Sequence, residues 1–143
     1  MIFKIIAVGK IKNKALADGV ETFLKRLSPY AKTEIEEIRD GTPESEGKKI
    51  LDALSREKGF VIILSEEGEE FSSIQFSQKI SGLNCKIIMV IGGPYGLIPE
   101  VKKCGDILLA LSRMTFTHEM ARFFLTEQLY RSVMIAKGKK YHN

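Results

Sequence analysis

The chain has 143 residues, 44% of them apolar and 28% charged, enough for one hydrophobic core and outside the composition of disordered or membrane-embedded proteins. Its net charge of +4 is small but uneven. Residues 1–32 carry seven Lys/Arg against two Asp/Glu, residues 33–70 five against twelve, and residues 71–143 ten against four. Two basic segments around an acidic one suit a protein that turns one face to a polyanion, and equally a set of scattered solvated charges. Met1 to Gly9 is short and interrupted by Lys4, unlike a secretory signal, and no apolar run reaches spanning length. A cytoplasmic protein is expected. Cys85 and Cys104 lack paired spacing and His118 and His142 are the only histidines, so neither a metal site nor a disulfide framework is expected.

In chain order, Ile2–Val8 reads as a buried strand and Lys14–Leu27 as an amphipathic helix stopped by Ser28-Pro29. Glu34–Arg39 alternates weakly, as an edge strand does. After the turn Gly41-Thr42-Pro43, Glu44–Lys58 forms a helix with Ile50, Leu51 and Leu54 inward. Phe60–Leu64 is the next strand, followed by a loop, Ser65–Glu70. Ser72 or Ser73 caps a helix reaching about Leu83. Then come a strand at Lys86–Ile91, the turn Gly92–Gly96, a short helix near Glu100–Cys104 and a strand at Ile107–Leu111. The last helix runs from His118 to Lys137, apolar on more than one side, with Gly138 as a left-handed cap. No repeat or linker divides the 143 residues, so a single domain is expected.

Apolar strands separated by helices imply an α/β fold, a mostly parallel sheet with helices on both faces. Ligands of such sheets sit at the carboxyl ends of the strands, which selects three loops: Leu64–Glu70, Gly92–Leu97 and Leu111–Thr117. Gly92-Gly93-Pro94-Tyr95-Gly96 is neither a dinucleotide fingerprint nor a phosphate loop. Read alone it is a tight strand-to-helix turn, or a place where backbone touches a flat ligand such as an adenine. Leu111 to Phe116 offers apolar side chains to the faces of a ring and backbone groups to its edge. There is no G-x-S-x-G elbow, and a glutamate run such as Glu66 to Glu70 reads first as a solvated patch.

Ile91–Leu97 (IGGPYGL), Leu111–Phe116 (LSRMTF), Thr126–Arg131 (TEQLYR) and the closing Tyr141-His142 resemble one family along essentially the whole chain. It is the RlmH family, the bacterial large-subunit ribosomal pseudouridine-N3 methyltransferases of the SPOUT class; Ile6–Lys10 and Ser28–Tyr30 are similar to it as well. The resemblance implies a carboxyl-terminal trefoil knot around S-adenosyl-L-methionine, a homodimer, and methylation of a pseudouridine in 23S rRNA of the assembled ribosome. Cofactor contacts fall on Leu64, Gly92, Leu111, Ser112, Arg113, Met114, Thr115 and Phe116. Three departures stand out: Thr117 where the family has proline, Lys140 before Tyr141 with Asn143 at the end, and Gly68-Glu69 where many relatives have Gly-Lys.

Under that resemblance, His142 assists deprotonation of the ring nitrogen or orients the base, and Tyr141 stacks on it or hydrogen-bonds it. Arg122 or Arg131 stabilises charge on the uracil ring or binds phosphate, although Glu127 and Arg131 also have the spacing of a helical ion pair. With all 143 residues assigned to the catalytic domain, RNA recognition is expected from the dimer surface, with Lys10, Lys12, Lys14, Lys137, Lys139 and Lys140 as phosphate contacts. The breadth of the last helix is the reason to expect a dimer. The rival readings are a related knotted enzyme acting on a ribose hydroxyl or on tRNA, a ribosome-binding protein without catalysis and, more distantly, an oxidoreductase.

Overall fold

The structure, a computed structural model, describes residues 1–143. Five strands, β1 (Ile2–Val8), β2 (Lys32–Ile38), β3 (Phe60–Glu70), β4 (Ile87–Ile91) and β5 (Ile107–Ala110), form one sheet in the order β2-β1-β4-β3-β5. Every pairing in it is parallel. Helices α1 (Lys14–Leu27), α3 (Ser73–Ser81) and α5 (His118–Ala136) cover one face, while α2 (Pro43–Ser55) and the short α4 (Pro99–Lys102) cover the other. The strand pleat divides the core accordingly. Phe3, Ile5 and Ala7 of β1 join the larger cluster with Leu27, Phe76, Leu125 and Leu129, whereas Ile6 and Val8 join Ile50, Ala53 and Val101 on the opposite face. No helix is long and apolar enough to cross a membrane.

The caps explain where the helices begin. The side chain of Asn13 accepts from Leu16 N, and Thr42 and Ser72 form reciprocal capping boxes with Ser45 and Gln75. Thr117 accepts from Met120 N and caps α5. The far end of α5 closes as expected: Gly138 has φ +65°, its N–H donates to Ile135 O and that of Lys139 to Met134 O. The helix expected over Glu44–Lys58 starts one residue earlier and ends at Ser55.

The largest difference from expectation is in β3. Ser65–Glu70 is not a simple loop. After Leu64 pairs with Leu109, the chain makes a four-residue excursion and returns to the ladder with Glu69 opposite Leu109 and Glu70 opposite Ala110. Gly68 permits this, because a Cβ there would lie 2.5 Å from the backbone carbon of Leu108. The breadth of α5 also has an internal explanation. Leu125, Leu129 and Val133 face the sheet, Phe123 and Tyr130 meet Phe23 of α1 at 5.9 and 6.0 Å, and Ser77 of α3 donates to Ser132 O at 2.6 Å. Much of the surface expected to need a second copy is covered within the chain.

Candidate active site

A cleft of about 890 Å³ opens at the carboxyl ends of β3, β4 and β5, within the size range of small-ligand sites. The three loops selected by the strand-end rule all line it. Of the eight expected cofactor positions, Leu64, Gly92, Leu111, Ser112, Met114, Thr115 and Phe116 reach the cleft. Arg113 does not. Its guanidinium turns away to donate to the carbonyls of Glu66 and Gly68, both at 2.7 Å, while its Nε lies 3.0 Å from the Glu70 carboxylate. The Thr115 hydroxyl donates to Glu66 at 2.5 Å. These contacts stitch the β5–α5 loop to the β3 excursion, so Arg113 shapes the wall from behind and Glu66 and Glu70 are not a free solvated patch.

The second wall is a turn. The N–H of Gly96 donates to Gly93 O at 3.1 Å, Gly96 has φ +81°, and Pro94 fixes the corner. Gly93 is packed from behind, since a Cβ there would lie 3.0 Å from both Val8 and the Glu46 carboxylate. The third wall was invisible in the sequence. Asn13 and Leu16, together with His118 and Glu119 at the start of α5, line the cleft from elements more than 100 residues apart, and no motif marks them. Glu119 joins them by accepting from Asn13 N at 3.0 Å and Lys12 N at 3.1 Å. The Asn13 hydrogen bond is the main reason its carboxyl is held below the usual range.

Arg122 requires a correction. Expected to act on substrate, it is 4% exposed, with Nη1 2.7 Å from the Glu37 carboxylate and Nη2 2.6 Å from Gly9 O. Its donors tie α5 to the carboxyl ends of β1 and β2, which makes it a positioning residue buried away from the cleft.

The tail forms a separate cluster. Glu127 accepts from Arg131 Nε at 3.1 Å and from the Tyr141 hydroxyl at 2.9 Å. Arg131 also lies over the Tyr141 ring at 4.8 Å and approaches His142 Nδ1 at 3.0 Å, so it combines the helical ion pair with a hold on both tail residues. Burial first, and then the Glu127 carboxylate, push the Tyr141 phenol up, which keeps it a hydrogen-bond donor. Arg131 can only donate, so His142 Nδ1 is the acceptor in this contact. Neither Tyr141 nor His142 lines the cleft. At ~1.5 Å per residue, Arg131 lies roughly 20 Å along α5 from His118. A smaller hollow of about 330 Å³ shares Leu109, Leu111 and Phe116 with the cleft and reaches Glu127, but the tail lines neither space.

The chain matches known proteins along nearly its whole length. A family model described as "Predicted SPOUT methyltransferase" matches residues 1–142. The chain is 43% identical over 141 residues to the Ribosomal RNA large subunit methyltransferase H of Prochlorococcus marinus, covering 98% of this chain and 94% of that one. It is 42% identical to the protein of the same name from Kosmotoga olearia, over 99% of both chains. Among solved structures, a probable methylase family protein from Haemophilus influenzae Rd KW20 superposes with a TM-score of 0.66 at 14% identity, covering 99% of this chain and 70% of that one, a likeness of fold. On the matched length and the shared parallel sheet, the chain belongs to the SPOUT methyltransferase family.

Proposed function

We propose that this protein is an S-adenosyl-L-methionine-dependent methyltransferase of large-subunit ribosomal RNA, a single catalytic domain that works as a homodimer in the cytoplasm. Its target in this reading is N3 of a pseudouridine in 23S rRNA of the assembled ribosome. The observation that carries the reading is the convergence of Leu64, the Gly92–Gly96 turn and Leu111–Phe116 on one cleft, in a chain 43% identical to a protein named as a large-subunit ribosomal RNA methyltransferase.

The lining fits the cofactor. Leu64, Leu111, Met114 and Phe116 supply apolar surface for a flat purine, and the glycine turn supplies bare backbone. Glu66, Glu67 and Glu119 line the cleft against a single lysine, Lys102, a balance that favours a cationic ligand over a phosphate. When bound, S-adenosyl-L-methionine supplies an electrophilic methyl on a positively charged sulfur. The protein's part is to align the acceptor nitrogen with that methyl and to exclude water, which in favourable cases contributes roughly 7–11 kcal/mol. A carboxyl-terminal knot belongs to the same reading: Arg113 and Thr115 fasten the β5–α5 loop to the β3 excursion, two segments such a crossing holds together.

The tail supplies the acceptor side. With Nδ1 taken up by Arg131, His142 has Nε2 to hydrogen-bond a ring carbonyl, and so orients the base and stabilises negative charge on its ring. Tyr141, held as a phenol, supplies a ring edge or a hydroxyl. Because the tail lines neither hollow of its own protomer, this reading takes it to the cleft of a second copy, and that is the argument for the homodimer. Cations surround it: Arg131 and Arg26 act on Tyr141, and Lys137 and Lys139 lie 5.9 and 5.7 Å from the Tyr30 ring. With Lys140, Lys10, Lys12 and Lys14 these are the phosphate contacts of the reading, and neutralising them together flattens the salt dependence of RNA binding.

The test has two arms. Calorimetry should show one S-adenosyl-L-methionine bound per chain, and nucleoside mass spectrometry of 23S rRNA from a deletion strain should show one methylated pseudouridine missing and restored by the gene. A chain truncated after Gly138 should bind the cofactor normally and methylate at least 100-fold more slowly. Full activity of the truncated chain, or a modification lost from tRNA or from a ribose instead, overturns the corresponding part.

A further inference from the structure

We infer that Tyr95 is a substrate-recognition residue that stacks against an unpaired nucleobase of the RNA at the mouth of the cleft; the inference rests on the proposed function. Tyr95 is 81% exposed, more than any other large apolar side chain in the molecule, and it lines the cleft. Met114, at 75%, is next, and it lines the same cleft from the β5–α5 loop. The two most exposed large apolar side chains therefore come from different loops and flank one opening. Single exposed apolar residues are ordinary, but two converging on a ligand-sized space are a binding surface.

The other three tyrosines are occupied. Tyr30 lies beneath Lys137 and Lys139, while Tyr130 and Tyr141 pack edge to face at 4.8 Å. Tyr95 has no aromatic neighbour, no cation over its ring and no hydrogen bond to its hydroxyl. A free ring on a mobile loop would mean little, but this one stands on a rigid base. Pro94 precedes it, the Gly96-to-Gly93 hydrogen bond closes the turn, and Glu46 and Val8 back Gly93. A tyrosine has few torsions to freeze, so a ring held this way binds a flat partner at small entropic cost. Every nucleobase presents a π-face, and an unpaired one in RNA is recognised chiefly by stacking on aromatic side chains. The acidic lining argues against phosphate as the group the turn receives.

The experiment compares the wild-type protein with Tyr95→Phe and Tyr95→Ala, using large ribosomal subunits from a strain deleted for the gene. Tyr95→Ala should raise the KM for subunits, and their Kd at fixed salt, by about 5- to 150-fold, the range of one lost base–aromatic stack. Its affinity for S-adenosyl-L-methionine and its sedimentation should be unchanged, and Tyr95→Phe should stay within about twofold of wild type by the same stacking argument. An unchanged KM and Kd in Tyr95→Ala overturns the inference. So does weakened cofactor binding, which would make the ring a wall of the cofactor site, or dissociation to monomers, which would make it part of an interface. An equal loss in Tyr95→Phe would transfer the role to the hydroxyl and overturn stacking. If the wild type binds subunits without methylating them and Tyr95→Ala loses that binding, the stacking stands while the methyltransferase reading falls.

Discussion

The two ends of the parallel sheet are built on opposite principles. At the amino ends, charge closes on itself. Lys4 of β1 reaches Glu36 at 3.0 Å and Glu57 at 3.1 Å, Lys86 reaches Glu57 at 2.8 Å, and Arg56 reaches Glu36 at 3.0 Å. The Lys4 and Glu57 side chains are each only 11% exposed, so these ions hold one another in place with little left for a ligand. At the carboxyl ends the chain leaves apolar surface, bare backbone and one unpaired aromatic ring, Tyr95, around an opening. One end stabilises the fold, and the proposed site lies at the other. The acidic middle of the sequence accordingly serves two purposes, with Glu34, Glu36 and Glu57 taken up by the ionic network and Glu66 and Glu67 facing the cleft.

This contrast can be broken most sharply at Lys4. Lys4→Met leaves two poorly solvated carboxylates short of a partner, and urea unfolding should show a loss of about 3 kcal/mol with cofactor affinity unchanged. A tenfold loss of cofactor affinity would show that the two ends are not independent. The same network gives a pH signature. Glu36, chiefly through Lys4, and Glu57, chiefly through Lys86, are held below the ordinary carboxylate value of 4.5. A lowered folded pKa makes their contribution complete above the unfolded value and lost as pH falls through the folded one. Stability should therefore decline below about pH 4.5, and Lys4→Met should make that decline shallower.

Arg122 sharpens the comparison from the other end, because there a buried charge supports the binding side. Arg122→Met should cost about 2 kcal/mol by urea unfolding and, unlike Lys4→Met, weaken cofactor binding in calorimetry, since it releases α5 from Gly9 and Glu37. The smallest expected effect is at the α5 cap. Thr117→Ala should cost about 1 kcal/mol, while Thr117→Pro should cost less, because φ there is already −61° and the ring fixes it. A larger loss for proline than for alanine would show that the hydroxyl has a role beyond capping.

Local pattern was enough for most of the scaffold. Apolar runs marked four of the five strands and weak alternation the edge strand β2, Ser28-Pro29 and Gly138 ended their helices, and the rule that ligands gather at strand carboxyl ends selected the loops that line the cleft. The motif IGGPYGL located the turn, but not that Tyr95 stands exposed on its rim. What tertiary structure alone decided are the pairings across long separations. Ser65–Glu70 reads as solvated until β5 and Arg113 give its backbone partners. Arg122 reads as a substrate-facing cation until Gly9 O, 113 residues away, accepts its hydrogen bond. Tyr141 and His142 read as groups that handle the base, but nothing local shows that Glu127 and Arg131 hold them. Periodicity records which side chains must leave water, because that depends on near neighbours in the chain. It does not record which distant group satisfies a buried donor or charge, because that partner exists only once the sheet has brought the segments together.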